Sequence, residues 1–95
     1  MKEFTYRIED RNGMHARPAG MLATFVKRFH ADVKIRANEK EADGKRLLSL
    51  MSLGAVFGTE LHFSITGEDE EEAAAAIEEF CRQRLAGGKE TAEHS

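Results

Sequence analysis

One cysteine, one proline, one tyrosine and no tryptophan stand among the 95 residues. Each scarcity removes a class of protein. The lone thiol, Cys81, closes no disulfide within the chain and builds no cysteine-based zinc site. A single proline, with 41% apolar and 33% charged residues, is not the make-up of a disordered chain. Few aromatic rings leave little for nucleobases to stack on, and 14 basic against 17 acidic residues give a net charge of −3. Nucleic-acid binding is therefore not expected. No apolar run approaches the ~18 residues that cross a bilayer, and Met1-Lys2-Glu3 leads into no signal-peptide core. The expectation is a cytoplasmic chain without membrane insertion. A chain this short makes one domain that buries roughly 60–65% of its unfolded surface. That domain is expected over residues 1–88, with 89–95 a flexible C-terminal tail.

What the sequence does have is periodicity. Phe4, Tyr6 and Ile8 alternate with polar neighbours, the mark of a half-buried strand. Asp10-Arg11-Asn12-Gly13 is turn chemistry. From Pro18, the spacing of Leu22, Phe25, Val26 and Phe29 predicts an amphipathic helix that His30 closes. Val33, Ile35 and Ala37 predict a second strand, and Glu41-Ala42-Asp43 a short third one after a polar turn. Leu61, Phe63 and Ile65 predict a fourth, ended by Gly67. A last helix from about Asp69 carries Ala73, Ile77, Phe80, Cys81 and Leu85 on its buried stripe, and Gly87-Gly88 stops it. Between the third and fourth strands, residues 44–54 predict a short helix with Leu50 and Leu53 inward. Leu47, Leu48 and Met51 are then left partly exposed. The order β-α-β-β-α-β-α reads as α+β, an antiparallel sheet with three helices on one face.

One segment carries chemistry. Asn12-Gly13-Met14-His15-Ala16-Arg17-Pro18-Ala19 delivers a histidine to the start of a helix, with Pro18 in the first turn where no N–H is needed. Amides of Ala16 and Arg17 there have no carbonyl partner, and a helix start attracts anions. Arg17 adds a fork of donors matched to phosphate oxygens. Positive potential beside the ring favours the neutral, nucleophilic imidazole. Those groups suit a phosphohistidine.

Gly13-Met14-His15-Ala16-Arg17-Pro18-Ala19 resembles the active-site loop of HPr, the histidine-containing phosphocarrier family of the bacterial phosphoenolpyruvate:sugar phosphotransferase system. Met51-Ser52-Leu53-Gly54-Ala55 resembles that family's second signature at the matching distance. The likeness spans roughly residues 2 to 85. It implies an open-faced β-sandwich of four antiparallel strands covered on one face by three helices. It also implies a relay, not a stand-alone enzyme, and no cofactor. His15 would take a phosphoryl group on Nδ1, as pros-phosphohistidine, from enzyme I and pass it to an EIIA domain for sugar uptake. Arg17 would hold the group, Pro18 would shape the turn, and the amides of Ala16 and Arg17 would solvate the oxygens. Gly20, Thr24, Leu47, Leu48 and Met51 would form one docking face for successive partners, on a protein that works as a monomer.

One departure stands out. Many relatives of Gram-positive type carry a serine, phosphorylated by an HPr kinase, where this chain has Arg46. Arg46 has no hydroxyl and cannot be so modified. Its fixed cation suits an acidic partner surface instead. His30, His62 and His94 lie in unrelated elements without metal-ligand spacing, so no metal is expected. A second class of function is also open: a regulatory module of a nitrogen-type branch, signalling by phosphorylation state. Both readings need His15 and Arg17.

Overall fold

Seven elements follow one another in a computed structural model that describes residues 1–85: β1 (Lys2–Arg7), α1 (Ala16–Val26), β2 (Asp32–Ala37), β3 (Lys40–Asp43), α2 (Leu47–Met51), β4 (Glu60–Thr66) and α3 (Glu70–Arg84). This is the order that the periodicities imply. The anticipated tail 89–95, the Gly87-Gly88 stop and His94 lie outside the described residues.

The strands form one antiparallel sheet in the order β1-β4-β2-β3. β4 and β2 lie inside the sheet, both with clean apolar alternation: Leu61, Phe63 and Ile65 of β4 and Val33 and Ile35 of β2 are all fully buried. Register sets one apolar row across all four strands: Phe4 opposite Phe63, Phe63 opposite Ile35, and Ile35 opposite Ala42. The Phe4 and Phe63 rings stack with centroids 4.4 Å apart. Such a pair contributes about 0.5–1.5 kcal/mol beyond simple burial. Leu22 and Val26 of α1, Leu50 of α2, and Ile77 and Cys81 of α3 complete the core on this side. Burial pushes the Cys81 thiol up to about 12, which leaves it a protonated core group. On the opposite face Thr5, His62, Arg36 and Glu41 line up in register and stay exposed or half-buried.

Between β2 and β3 the chain reverses through two residues in the left-handed region, Asn38 (φ 53°) and Glu39 (φ 64°). That backbone matches the twist of the flanking strands. Asn38 Nδ2 also donates to the carbonyls of Leu53 and Gly54, tying this hairpin to the end of α2.

One boundary differs from expectation. α1 ends at Val26 with Lys27 as its C-cap, so neither Phe29 nor His30 is helical. The apolar spacing ran on because Phe29 still packs against the core: its ring meets Phe25 edge-on at 5.7 Å, and Phe25 stacks on Phe80 at 4.4 Å. His30 does not close the helix. The amides of His30 and Ala31 donate instead to the carboxylate of Asp69, at 2.9 Å each.

Candidate functional site

The loop before α1 is held at every step by local chemistry. The amide of Asn12 donates to Asp10 Oδ1 at 2.8 Å, and that of Gly13 to the Asp10 carbonyl at 3.0 Å. This is the side-chain-closed turn that Asp favours. Gly13 then takes φ +72°, and a Cβ there would sit 2.6 Å from the Ala55 carbonyl oxygen and 2.8 Å from Val56 Cα. Only glycine satisfies both demands. Next, the amide of Met14 donates to that same Ala55 carbonyl at 3.0 Å, and the Met14 side chain is buried. The loop is thus moored to residues 55–56 immediately before His15.

His15 is the N-cap of α1, in extended geometry (φ −97°, ψ −172°). Two absences define this helix start. The His15 ring makes no capping hydrogen bond, and the first turn holds no acidic residue. Ala16 and Arg17 occupy the first two helical positions and are exposed, while Pro18 is third and buried. Their two amides belong to the group that a helix cannot satisfy internally, and Pro18 has none to offer. The side chain of His15 is 39% exposed, so its ring is open to a partner yet anchored at its base.

A neighbour that sequence reading took only for turn chemistry stands beside it. Asp10 Oδ2 lies 3.7 Å from His15 Nε2. The ring therefore sits between a donor-rich helix start and a carboxylate. The anticipated surroundings held only the donors. Four residues separate Asp10 from His15, and only the bent loop brings them together.

Ala16, Gly20 and Thr24 follow at four-residue steps, which share one side of a helix. Ala16 and Thr24 are exposed and Gly20 half-buried, with open space where a Cβ would lie. α2 packs against α1. Leu50 and Leu53 point inward as expected, and Leu47, Leu48 and Met51 remain 39%, 78% and 38% exposed. Arg46 is the exposed N-cap of α2. Sequence reading missed Val56 and Phe57, each 61% exposed, in the turn beside Gly13. Two apolar residues after the Met51–Ala55 motif were a signal that could have found them. Among the described residues, no group of three His, Cys, Asp or Glu side chains could hold a metal ion. No described helix is long and apolar enough to cross a membrane.

A half-exposed histidine at an open helix start, on a one-sided α+β sandwich, is an arrangement with room and donors for an anionic group. Comparison with known proteins is more specific. Residues 2–83 match the family model described as the PTS HPr component phosphorylation site. The chain is 41% identical over 78 residues to the phosphocarrier protein HPr of Mycoplasma genitalium, covering 81% of this chain and 89% of that one. It is 35% identical over 79 residues to the HPr of Mycoplasma capricolum, covering 83% and 89%. In structure it is similar to HPr-C-His from Thermoanaerobacter tengcongensis, with TM-score 0.83 and 32% identity over 92% of this chain and 97% of that one. The chain belongs to the HPr family, the phosphocarriers of the phosphotransferase system.

Proposed function

We propose that His15 is the carrier residue, receiving a phosphoryl group on Nδ1 from the phosphohistidine of enzyme I and delivering it to EIIA domains for sugar uptake. The observation that carries this is the unfilled start of α1: an N-cap without a side-chain cap, above a first turn without an acid. An incoming phosphoryl group brings the negative charge and acceptor oxygens that this helix end lacks. In the transfer, the Nδ1 lone pair forms the new P–N bond while the donor's P–N bond breaks, its electron pair returning to the donor ring. The amides of Ala16 and Arg17 and the Arg17 guanidinium then receive the phosphoryl oxygens, and Pro18 keeps the turn in shape. Nε2 faces Asp10, so Nδ1 is the ring nitrogen turned from that carboxylate.

Such a protein turns over no small molecule by itself. Its partners dock in succession on Gly20, Thr24, Leu47, Leu48 and Met51, and it works in the cytoplasm as a monomer. A small apolar patch suits encounters that must end quickly. Arg46 adds a cation at the rim for an acidic partner surface. Arg46→Glu is expected to weaken binding to enzyme I at low salt, and unchanged affinity removes that role.

The test is direct. The protein is incubated with enzyme I, magnesium and phosphoenolpyruvate, and intact mass is followed for an acid-labile gain of one phosphoryl group. A gain that is lost in His15→Ala is expected. No gain with several enzyme I proteins, or a gain that survives in His15→Ala, refutes the assignment.

A further inference from the structure

We propose that Asp10 is a positioning residue of the phosphoryl transfer, holding the proton on Nε2 of His15 so that Nδ1 carries the free lone pair. The inference rests on His15 as the carrier residue and names a further group that serves it. Three observations support it. Asp10 Oδ2 stands 3.7 Å from Nε2, just beyond hydrogen-bond range, and the nitrogen that this carboxylate approaches is Nε2. The carboxylate is not a swinging side chain, because Oδ1 accepts the Asn12 amide at 2.8 Å and the Asp10 carbonyl accepts the Gly13 amide at 3.0 Å. Both partners are only partly solvated, with side-chain exposures of 39% for His15 and 26% for Asp10.

The chemistry follows from which nitrogen holds the proton. A neutral imidazole has one N–H and one lone pair, and a carboxylate beside one nitrogen selects the N–H there. With the proton on Nε2, Nδ1 is the nucleophile. After transfer the ring is a phosphorylated imidazolium, and Asp10 faces its positive charge. On delivery the P–N bond breaks and the electron pair returns to Nδ1. Because Nε2 has kept its proton, the departing group is neutral imidazole and not its anion, which would be a far poorer leaving group. Aspartate plays the same orienting part beside the histidine of serine-protease triads. Asp10 thus acts on both halves of the relay without touching the phosphoryl group.

Asp10→Asn separates this role from a structural one. The asparagine side-chain oxygen can still accept the Asn12 amide, so the turn is kept while the charge is lost. Two readouts are taken. The first is the ring nitrogen spectrum of His15 in uniformly 15N-labelled, unphosphorylated protein in mildly alkaline buffer. The second is the hydrolysis rate of the phosphorylated protein at neutral pH, after loading with enzyme I and phosphoenolpyruvate and removal of the enzyme. The wild type is expected to hold His15 in the Nε2–H form, and Asp10→Asn to move population to Nδ1–H. Hydrolysis of the phosphorylated variant is expected to slow about five- to tenfold, the scale of a half-solvated charge contact. Asp10→Glu, which restores the charge, is expected to recover most of that loss. Identical ring spectra and hydrolysis rates in Asp10→Asn and wild type overturn the proposal. Failure of the wild type to take up phosphoryl would overturn the carrier role of His15 instead, and the ring spectra would still judge Asp10.

Discussion

The two longer helices of this protein begin in opposite ways. α3 opens with Glu70, Glu71 and Glu72 in its first turn, behind Asp69 as N-cap. Glu70 accepts the Gly67 amide at 3.0 Å and the N-terminal amine of Met1 at 2.7 Å. Asp69 spends its carboxylate on the amides of His30 and Ala31. That end of the molecule is built for stability: negative charge of the first turn meets the positive dipole, while the Asp69 carboxylate is taken by residues 30 and 31 and caps no amide of α3 itself. α1 has no acid in its first turn, although the two starts share the absence of a side-chain cap. A helix start without an acid forgoes roughly 0.3–1 kcal/mol of charge–dipole stabilisation. The difference teaches where the working end lies. In α3 the anion is part of the chain, and in α1 the proposed phosphoryl group would supply it.

The contrast can be broken most severely by removing a donor. Ala16→Pro deletes one first-turn amide at a position where proline is tolerated in a helix. Phosphoryl transfer to His15 is expected to fall about a hundredfold, the usual scale for one oxyanion donor. Thermal unfolding, read alongside, should be nearly unchanged. A variant that transfers at the wild-type rate would show that the amide is a bystander.

The converse substitution sharpens the same point. Ala16→Glu gives α1 the kind of start that α3 has. It should raise stability by about 0.3–1 kcal/mol through the dipole while slowing transfer from enzyme I about tenfold, since the site then holds its own anion. Stability and transfer moving in the same direction would undo the comparison.

Smaller effects belong to the α3 end. Asp69→Ala leaves the amides of His30 and Ala31 without their partner and should lower the melting temperature by a few degrees. Phosphorylation of His15 should proceed as before, as measured by intact mass. A further check is pH. The His30 amide, with that of Ala31, holds the Asp69 carboxyl below its usual range, and the N-terminal amine, with the Gly67 amide, does the same for Glu70. Carboxyls lowered on folding contribute stability that is fully present above the unfolded value of about 4. It is lost as pH falls through their lower folded values. The melting temperature should therefore decline below about pH 4, and less steeply in Asp69→Ala.

Much of this was open to a reader of the sequence, for physical reasons that differ by element. Strand alternation at Leu61, Phe63 and Ile65 and the inward pair Leu50 and Leu53 were legible, because burial imposes the period of the backbone on the residues. His15 was legible as a helix start, because Gly13 and Pro18 each have few places to go. What stayed hidden depended on contacts distant in sequence or on a bend. Asp69 reaches back to residues 30 and 31, and that contact accounts for His30 lying outside α1. Phe29 kept the helical spacing while packing from a turn. Asp10 faces His15 only because the loop between them folds back on itself. Val56 and Phe57 are exposed beside the loop, directly after the Ala55 carbonyl that moors Met14.

One measurement bears most directly on the open start of α1. Protein phosphorylated by enzyme I and phosphoenolpyruvate is 15N-labelled, and phosphorus–nitrogen couplings and backbone amide shifts are recorded. Phosphorus coupled to Nδ1 of His15, with the Ala16 and Arg17 amide protons moving markedly downfield, is the expected result. Phosphorus on another residue or on Nε2, or amides of Ala16 and Arg17 that do not move, would contradict the account.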